Sequence, residues 1–493
     1  MSILPLIILH LAAVITASDI SDDDLRWIRG VNYVPSTSHN DVATWQDYNR
    51  TLVEEELEYA ASIGFNAIRM FLSSLPWLYN RSAFLDNLDH FITTLERFNL
   101  TSQLVVFDSC FGNVNANISW IESGEYQNFT WIPNPGPYIV SSGASSWSIY
   151  DGYLDDIITT VGSSKAVLLY DLHNEPDFSV NLMIDFIQYT ANKIKALDKQ
   201  GRLITVGIAS SNQQSLVQEI VTSLSFHNYN GNEDGLALSN DIASQRALAL
   251  SLNKPLLLTE TMSRPNDLLV SVLPAVYGCF NESSSILDST VGWFIWELML
   301  GKDQFNNDFL NPYQGLLFPS WKGPSVGGQF RYKDEEALLR QYFTSPFGSP
   351  PCPSANSSFI PDTSSQWTWS PIDLWTAWSG SGPPLGTLHY ANEGGAVATL
   401  SPFPINSGRI SAVKLVYKRG PDCGFFSISV NGVVNITNFD SYDENVNWEA
   451  ELNVPLPQPM NDYVIDIIAM GSSNSSSSNT YVQIVGAWPV LGE

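Results

Sequence analysis

Residues 167–176, Val-Leu-Leu-Tyr-Asp-Leu-His-Asn-Glu-Pro, form a short, largely apolar run that breaks into polar residues just before a proline. A run apolar on both faces reads as a buried parallel strand over 167–172, with His173, Asn174 and Glu175 at its carboxyl end. The same pattern recurs on either side. Residues 28–34, 67–71 and 104–107 precede it, and 203–208, 224–227, 256–259 and 291–296 follow. The intervening segments carry helical period. Val53, Leu57, Ala60 and Ala61 share one face, and Gly64 stops that helix. Phe84, Leu88, Phe91, Ile92 and Leu95 share another, and Met183, Phe186, Ile187, Thr190, Ala191 and Ile194 a third. Eight strands, each followed by room for a helix, predict an α/β fold, a (β/α)8 TIM barrel. That fold typically takes about 250 residues before insertions.

The largest insertion, residues 108–150, follows the third strand and holds Trp120, Tyr126, Trp131, Tyr138 and Trp147. Loops after barrel strands surround the catalytic mouth, so these rings either wall a substrate groove or pack the loop onto the barrel. Residues 345–366 are rich in Pro and Ser and read as a linker. Beyond it the period changes to two, as in Phe426, Ile428 and Val430, and no helical pattern appears. A smaller all-β sandwich over 367–493 is expected. The organisation is thus 1–18 leader, 19–344 barrel, 345–366 linker and 367–493 sandwich.

The leader is the stretch ILPLIILHLAAVIT at 3–16, followed by the small residues Ala17 and Ser18. It is too short to span a bilayer and reads as a secretory signal peptide. Nine Asn-x-Ser/Thr sequons agree with an extracellular glycoprotein, at Asn49, Asn80, Asn99, Asn117, Asn128, Asn281, Asn356, Asn435 and Asn474. The chain carries 23 Lys and Arg against 50 Asp and Glu, a formal charge of -27. Such a surface repels nucleic acids and anionic membranes. With 15% charged residues and 12% aromatics, it suits a neutral polysaccharide or oligosaccharide. No pattern sets an oligomeric state. The cysteines, Cys110, Cys279, Cys352 and Cys423, form no C-x-x-C pair, so disulfides are favoured over a zinc or redox site. Cys279 and Cys352 fall at the bottom of the barrel and Cys110 at the top. The expected bond is Cys279–Cys352, with Cys352–Cys423 second.

Chemistry is sought at the strand ends, where barrels keep their catalysts. The fourth strand ends in Glu175 and the seventh in Glu260, 85 positions apart. That is close to three units of about 31 residues, which sets the two glutamates across the mouth from each other. Paired carboxylates are what glycoside hydrolysis needs, one to donate a proton and one to attack the anomeric carbon. Two on facing strands are a rarer coincidence than one solvated rim glutamate. Glu297, Lys302, Asp303 and Gln304 follow the eighth strand, and either line the mouth or form a solvated loop. No His-x-His or His-Glu-x-x-His pattern supports a metal, and no glycine-rich phosphate loop follows a strand, so neither metal nor cofactor is expected.

Asn174-Glu175-Pro176, His227-x-Tyr229, Glu260 and Trp296, with the segment Gly64–Arg69, resemble the motifs of clan A glycoside hydrolases, especially family 5 and its cellulase- and mannanase-like members. The resemblance covers about residues 27–343. It implies Glu175 as general acid/base, with a raised pKa, and Glu260 as nucleophile. Arg69 and Tyr229 would hydrogen-bond the nucleophile and Asn174 the sugar 2-hydroxyl. His227 would orient the carboxylates or the sugar, and Trp296 would floor the reacting ring. Where that family usually has a histidine after strand three, this chain has Asp108-Ser109-Cys110, and Asp108 would take over the contact to the sugar. Residues 417–432 resemble galactose-binding-like modules, which would bind sugar or brace the barrel. The resemblance implies a retaining β-glycosidase, and an open aromatic groove would favour a polysaccharide such as a β-glucan or β-mannan. A transglycosylase using the same glutamates and a non-catalytic glycan-binding barrel are the alternatives.

Overall fold

The computed structural model describes residues 24–491, apart from 111–113, 230–234, 263–268, 280–289, 303–314, 324, 332, 346–359, 363, 365, 380–386, 402–409 and 461–462. The leader, most of the linker, Cys352, Asp303, Gln304 and the sequons at Asn281 and Asn356 lie outside the described residues.

Eight parallel strands form the first unit: β1 (Arg29–Tyr33), β2 (Ala67–Phe71), β3 (Thr101–Val105), β4 (Val167–Asn174), β5 (Leu203–Gly207), β6 (Leu224–His227), β7 (Leu256–Thr261) and β8 (Gly292–Ile295). Their order, β5-β4-β3-β2-β1-β8-β7-β6, brings the two edges together. A parallel bridge between Ile208 and Phe226 joins them and completes the barrel. Seven strands stand where the apolar runs place them. The third starts three residues early, because it includes the polar but buried Ser102 and Gln103.

The helices bury the predicted faces. In Arg50–Ile63 the inward residues are Leu52, Val53, Glu56, Leu57, Ala60 and Ile63. Asn49 caps its start by accepting from the Leu52 N–H, and Gly64 ends it at φ 108°, a left-handed conformation that glycine adopts without a steric penalty. Arg81–Arg97 turns Phe84, Leu88, Phe91, Ile92 and Leu95 onto the same core. Each such leucine contributes on the order of 2–5 kcal/mol against truncation to alanine.

The barrel interior is layered. Ala67, Leu169, Leu257 and Phe294 pack with Leu25 and Ile28 in an apolar cluster. Side chains two residues apart on a strand share a face, so Arg69 sits one layer above Ala67, and Asp171 one above Leu169. The apolar floor thus carries a polar layer towards the carboxyl ends.

The second unit is the expected sandwich. One antiparallel sheet orders Trp367–Ser370, Val397–Leu400, Ile465–Ala469, Phe425–Val430 and Val433–Asp440. The other orders Thr376–Ser379, Thr387–Ala391, Val482–Leu491, Ile410–Arg419 and Asn447–Met460. Val413, Leu415, Phe426, Ile428, Val454, Ile467 and Ile484 fill the space between them. No helix among the described residues is long and apolar enough to cross a membrane. Cys110 and Cys423 are free thiols, which rules out the second-choice Cys352–Cys423 bond, while Cys279 is disulfide-bonded.

Candidate active site

Arg69 on β2 is the hub of the polar layer. It is fully buried, and its Nη1 donates to Glu260 Oε1 and, at 3.0 Å, to Asn32 Oδ1. Its Nη2 donates to Asp171 Oδ2 at 2.8 Å and to Asn174 Oδ1 at 2.6 Å. Burial works against the guanidinium charge, but Glu260 and Asp171 outweigh it and hold the group protonated. One cation therefore ties together β1, β2, β4 and β7.

Asp171 is an anchor that sequence reasoning missed. Its Oδ1 accepts from the Gly207 N–H at 2.9 Å, and its Oδ2 also accepts from Gln103 Nε2 at 3.0 Å. The available signal was a charge inside an apolar run, with Asn32 and Gln103 in register with Arg69 on the strands to either side of it. Gly207 leaves the room this cluster needs. A Cβ there would lie 2.8 Å from Asp171 Oδ2, 2.9 Å from Arg69 Nη2 and 3.0 Å from His227 Nε2.

Above this layer the two glutamates meet. Glu260, 5% exposed, receives Tyr229 OH on Oε2 at 2.5 Å, so each of its oxygens has a donor. Burial beside Glu260 pushes the Tyr229 phenol up, which keeps its proton in place to donate. Glu175 follows β4 with φ 41°, an unusual value for a residue with a Cβ, pinned by its N–H to Gly207 O at 2.7 Å. His227 Nδ1, at the end of β6, lies 2.7 Å from Glu175 Oε1 and 3.3 Å from Glu260 Oε2. One ligand atom each from Glu175, His227 and Glu260 falls within 4.8 Å of the others. The four carboxylate oxygens are already met by Arg69, Tyr229, His227 and Cys110.

Glu175 differs from the expectation of a raised pKa. Burial favours its neutral form, but the hydrogen bond and charge of His227, the Cys110 thiol and Arg69 outweigh that and hold it at about 2. The resting carboxyl is therefore ionised.

Asn174 is oriented without ambiguity. Arg69 donates to its Oδ1, and its Nδ2 donates to Asp108 Oδ2 at 3.1 Å. Asp108 departs from the sugar-contacting role expected of it. It is 1% exposed, and its oxygens accept from Asn174, from Trp131 Nε1 at 3.1 Å and from the Cys110 N–H at 2.5 Å. Burial, together with Asp41, pushes its carboxyl well above the usual range. Asp108 braces Asn174 from the neighbouring strand end.

Trp296 is 4% exposed and packs edge-on against Phe71, with ring centroids 5.8 Å apart, and beside Trp131 at 6.4 Å. The insertion rings mainly turn inward. Tyr126, Trp131 and Trp147 are buried, Trp120 stacks on Phe129 at 4.3 Å, and of the five only Tyr138 is well exposed. They pack the loop rather than line an open groove. Glu297 is likewise fully buried, away from any solvated loop.

No protein-family model and no curated protein sequence matches the chain. Among solved structures it is similar to an exo-β-1,4-mannosidase from an Opitutaceae bacterium, with 15% identity, TM-score 0.45, and 63% of this chain against 58% of that one. It is also similar to an endo-β-1,4-mannanase from Thermotoga petrophila, with 12% identity, TM-score 0.45, and 86% against 90%. A glycoside hydrolase family 5 mannosidase from Rhizomucor miehei gives 16% identity, TM-score 0.42, and 64% against 92%. The chain spans less than two thirds of the first of these. At such identities the chemistry has to be read from the site itself.

Proposed function

We propose that this chain is a retaining β-glycosidase that cleaves a neutral β-glycan, of the β-glucan or β-mannan class, by double displacement. The observation that carries the reading is the pairing of Glu175 with Glu260. Their nearer oxygens lie within 4.8 Å, across the end of one buried histidine. Retaining enzymes hold their carboxyls about 5–5.5 Å apart, whereas inverting ones leave roughly 6.5–9.5 Å for a water. Oxygens this close are compatible with the shorter separation, which double displacement requires.

Glu260 lies deeper and is gripped on both oxygens, which suits a nucleophile aimed at the anomeric carbon. Glu175 is more open, with its side chain 20% exposed, and suits proton transfer to the leaving oxygen. His227 Nδ1, 2.7 Å from Oε1, orients the carboxyl for that transfer. In the second step Glu175 accepts a proton from the attacking water, and the sugar leaves with its original anomeric configuration. Asn174, fixed by Arg69 and Asp108, keeps one N–H for the sugar 2-hydroxyl.

The chain is read as secreted and glycosylated. Asn49, Asn80, Asn99, Asn117, Asn128 and Asn435 are exposed and Asn474 is half-buried, as accessible sequons must be. Product analysis on glucan, mannan, xylan and galactan, with the anomeric configuration followed by NMR, tests the proposal. Hydrolysis with retention supports it, and an inverted product or no cleavage of any of them contradicts it. A glycan acceptor replacing water in the product would favour the transglycosylase alternative.

A further inference from the structure

Cys110 stands in the site without a role assigned to it. Its Sγ lies 3.0 Å from Glu175 Oε2, while His227 Nδ1 holds Oε1 of the same carboxyl at 2.7 Å. The two contacts grip opposite oxygens and so fix the plane of the group. The segment carrying the thiol is itself fastened at every residue. Asp108 exchanges backbone hydrogen bonds with Asn134 and accepts from Asn174, and the Ser109 N–H donates to Asn174 O at 3.1 Å. Ser109 Oγ meets the fully buried His173 ring at 2.7 Å, and the Cys110 N–H donates to Asp108 Oδ1.

We propose that Cys110 is a positioning residue for the general acid/base, its thiol orienting Glu175 for proton transfer to and from the glycosidic oxygen. This rests on the glycosidase reading above. Burial, and then the nearby Glu175 and Asp108, push the Cys110 thiol well above its ordinary value, so it stays protonated and serves as a donor. That disfavours a nucleophilic or redox role. A donor to the charged carboxylate also lowers its proton affinity, in the same sense as His227 and Arg69. The other ionisable groups facing Glu175 are Tyr229, whose phenol stays protonated, Glu260 from β7 and, behind the thiol, Asp108. A charged carboxylate among these would favour protonation of Glu175, opposing the thiol.

The test compares Cys110→Ala and Cys110→Ser with the wild type on two β-glycosides of the preferred sugar. One carries a 2,4-dinitrophenyl leaving group, which departs without a proton, and the other a methyl or sugar leaving group, which needs one. General acid catalysis contributes roughly 10²–10⁴-fold, and losing the carboxyl's orientation should forfeit about tenfold of it. Cys110→Ala should therefore slow cleavage of the poor leaving group about tenfold while the dinitrophenyl glycosylation step stays within about twofold. The basic limb of kcat/KM should move to higher pH, because a donor to the carboxylate has gone. Cys110→Ser, which keeps a donor, should recover most of the rate and the original limb.

Equal losses on both substrates with an unmoved limb would reduce Cys110 to packing and overturn the inference. So would an alanine variant that behaves as wild type. A wild type that cleaves neither substrate would overturn the glycosidase reading, and this inference with it.

Discussion

Gly207→Ala should damage both the site and the stability of the barrel, although alanine ordinarily improves a strand. The backbone of Gly207 is not in the left-handed region, so alanine can adopt it without strain. Replacing such a glycine should by itself stabilise the strand by about 0.5–1 kcal/mol. The new Cβ, however, would sit 2.8–3.0 Å from Asp171 Oδ2, Arg69 Nη2 and His227 Nε2. Each must retreat by several tenths of an ångström, and each is held by partners that resist it. Overpacking of this kind costs roughly 1–3 kcal/mol, which outweighs the strand gain. The retreat would also drag on the Arg69–Glu260 and His227–Glu175 contacts, and a misplacement near 1 Å costs about 10²-fold in rate. Urea unfolding and kcat on an aryl β-glycoside read the two effects. A variant at least as stable as wild type with unchanged kcat would refute the packing of this cluster, and with it the proposed support for both glutamates.

Three further outcomes follow from the same geometry. Burial lowers His173 to about 3 from an ordinary 6.5, so the unfolded chain takes up its proton first, and stability falls as pH drops from about 6.5 towards 3. Between pH 7.5 and 5.0 the loss from this residue is about 2 kcal/mol; His173→Gln should remove it from the wild-type profile in urea titrations, and parallel profiles would contradict the assignment. Non-reducing peptide mapping should recover Cys279 joined to Cys352, since the other two cysteines are free thiols; a Cys110–Cys279 peptide would upset the barrel topology. In a secretory host, Asn435 on the exposed edge strand Val433–Asp440 should carry glycan by mass spectrometry, and an unoccupied set of sequons would count against secretion.

The barrel was legible because its strands are buried on both faces and show as apolar runs, while the surrounding helices repeat with period 3.6. The same reading hid what makes the site work. Asn32 and Asp171 interrupt those runs and Gln103 precedes one, and only the closed barrel shows that Asn32 and Asp171 meet Arg69 while Gln103 meets Asp171. Asp108 was expected to touch sugar because it stands where the resembled family usually has a histidine, but the insertion folds Trp131 over it. Cys110 was weighed only as a disulfide partner, since nothing local places its thiol against a glutamate 65 positions later. The low pKa of Glu175 depends on a histidine two strands away, which composition and spacing cannot convey.

The division of labour between the two glutamates is tested most directly by azide rescue. In Glu175→Ala the nucleophile survives, so a dinitrophenyl β-glycoside should still glycosylate the enzyme, but the second step lacks its base. Azide, which needs no deprotonation, should restore turnover and give the β-glycosyl azide, with configuration unchanged. In Glu260→Ala no covalent intermediate can form there, and azide should enter the vacated face to give the α-azide. Opposite configurations from the two variants are the predicted result. Azides of the same configuration from both, or near-normal hydrolysis of the glycan by either, would contradict it.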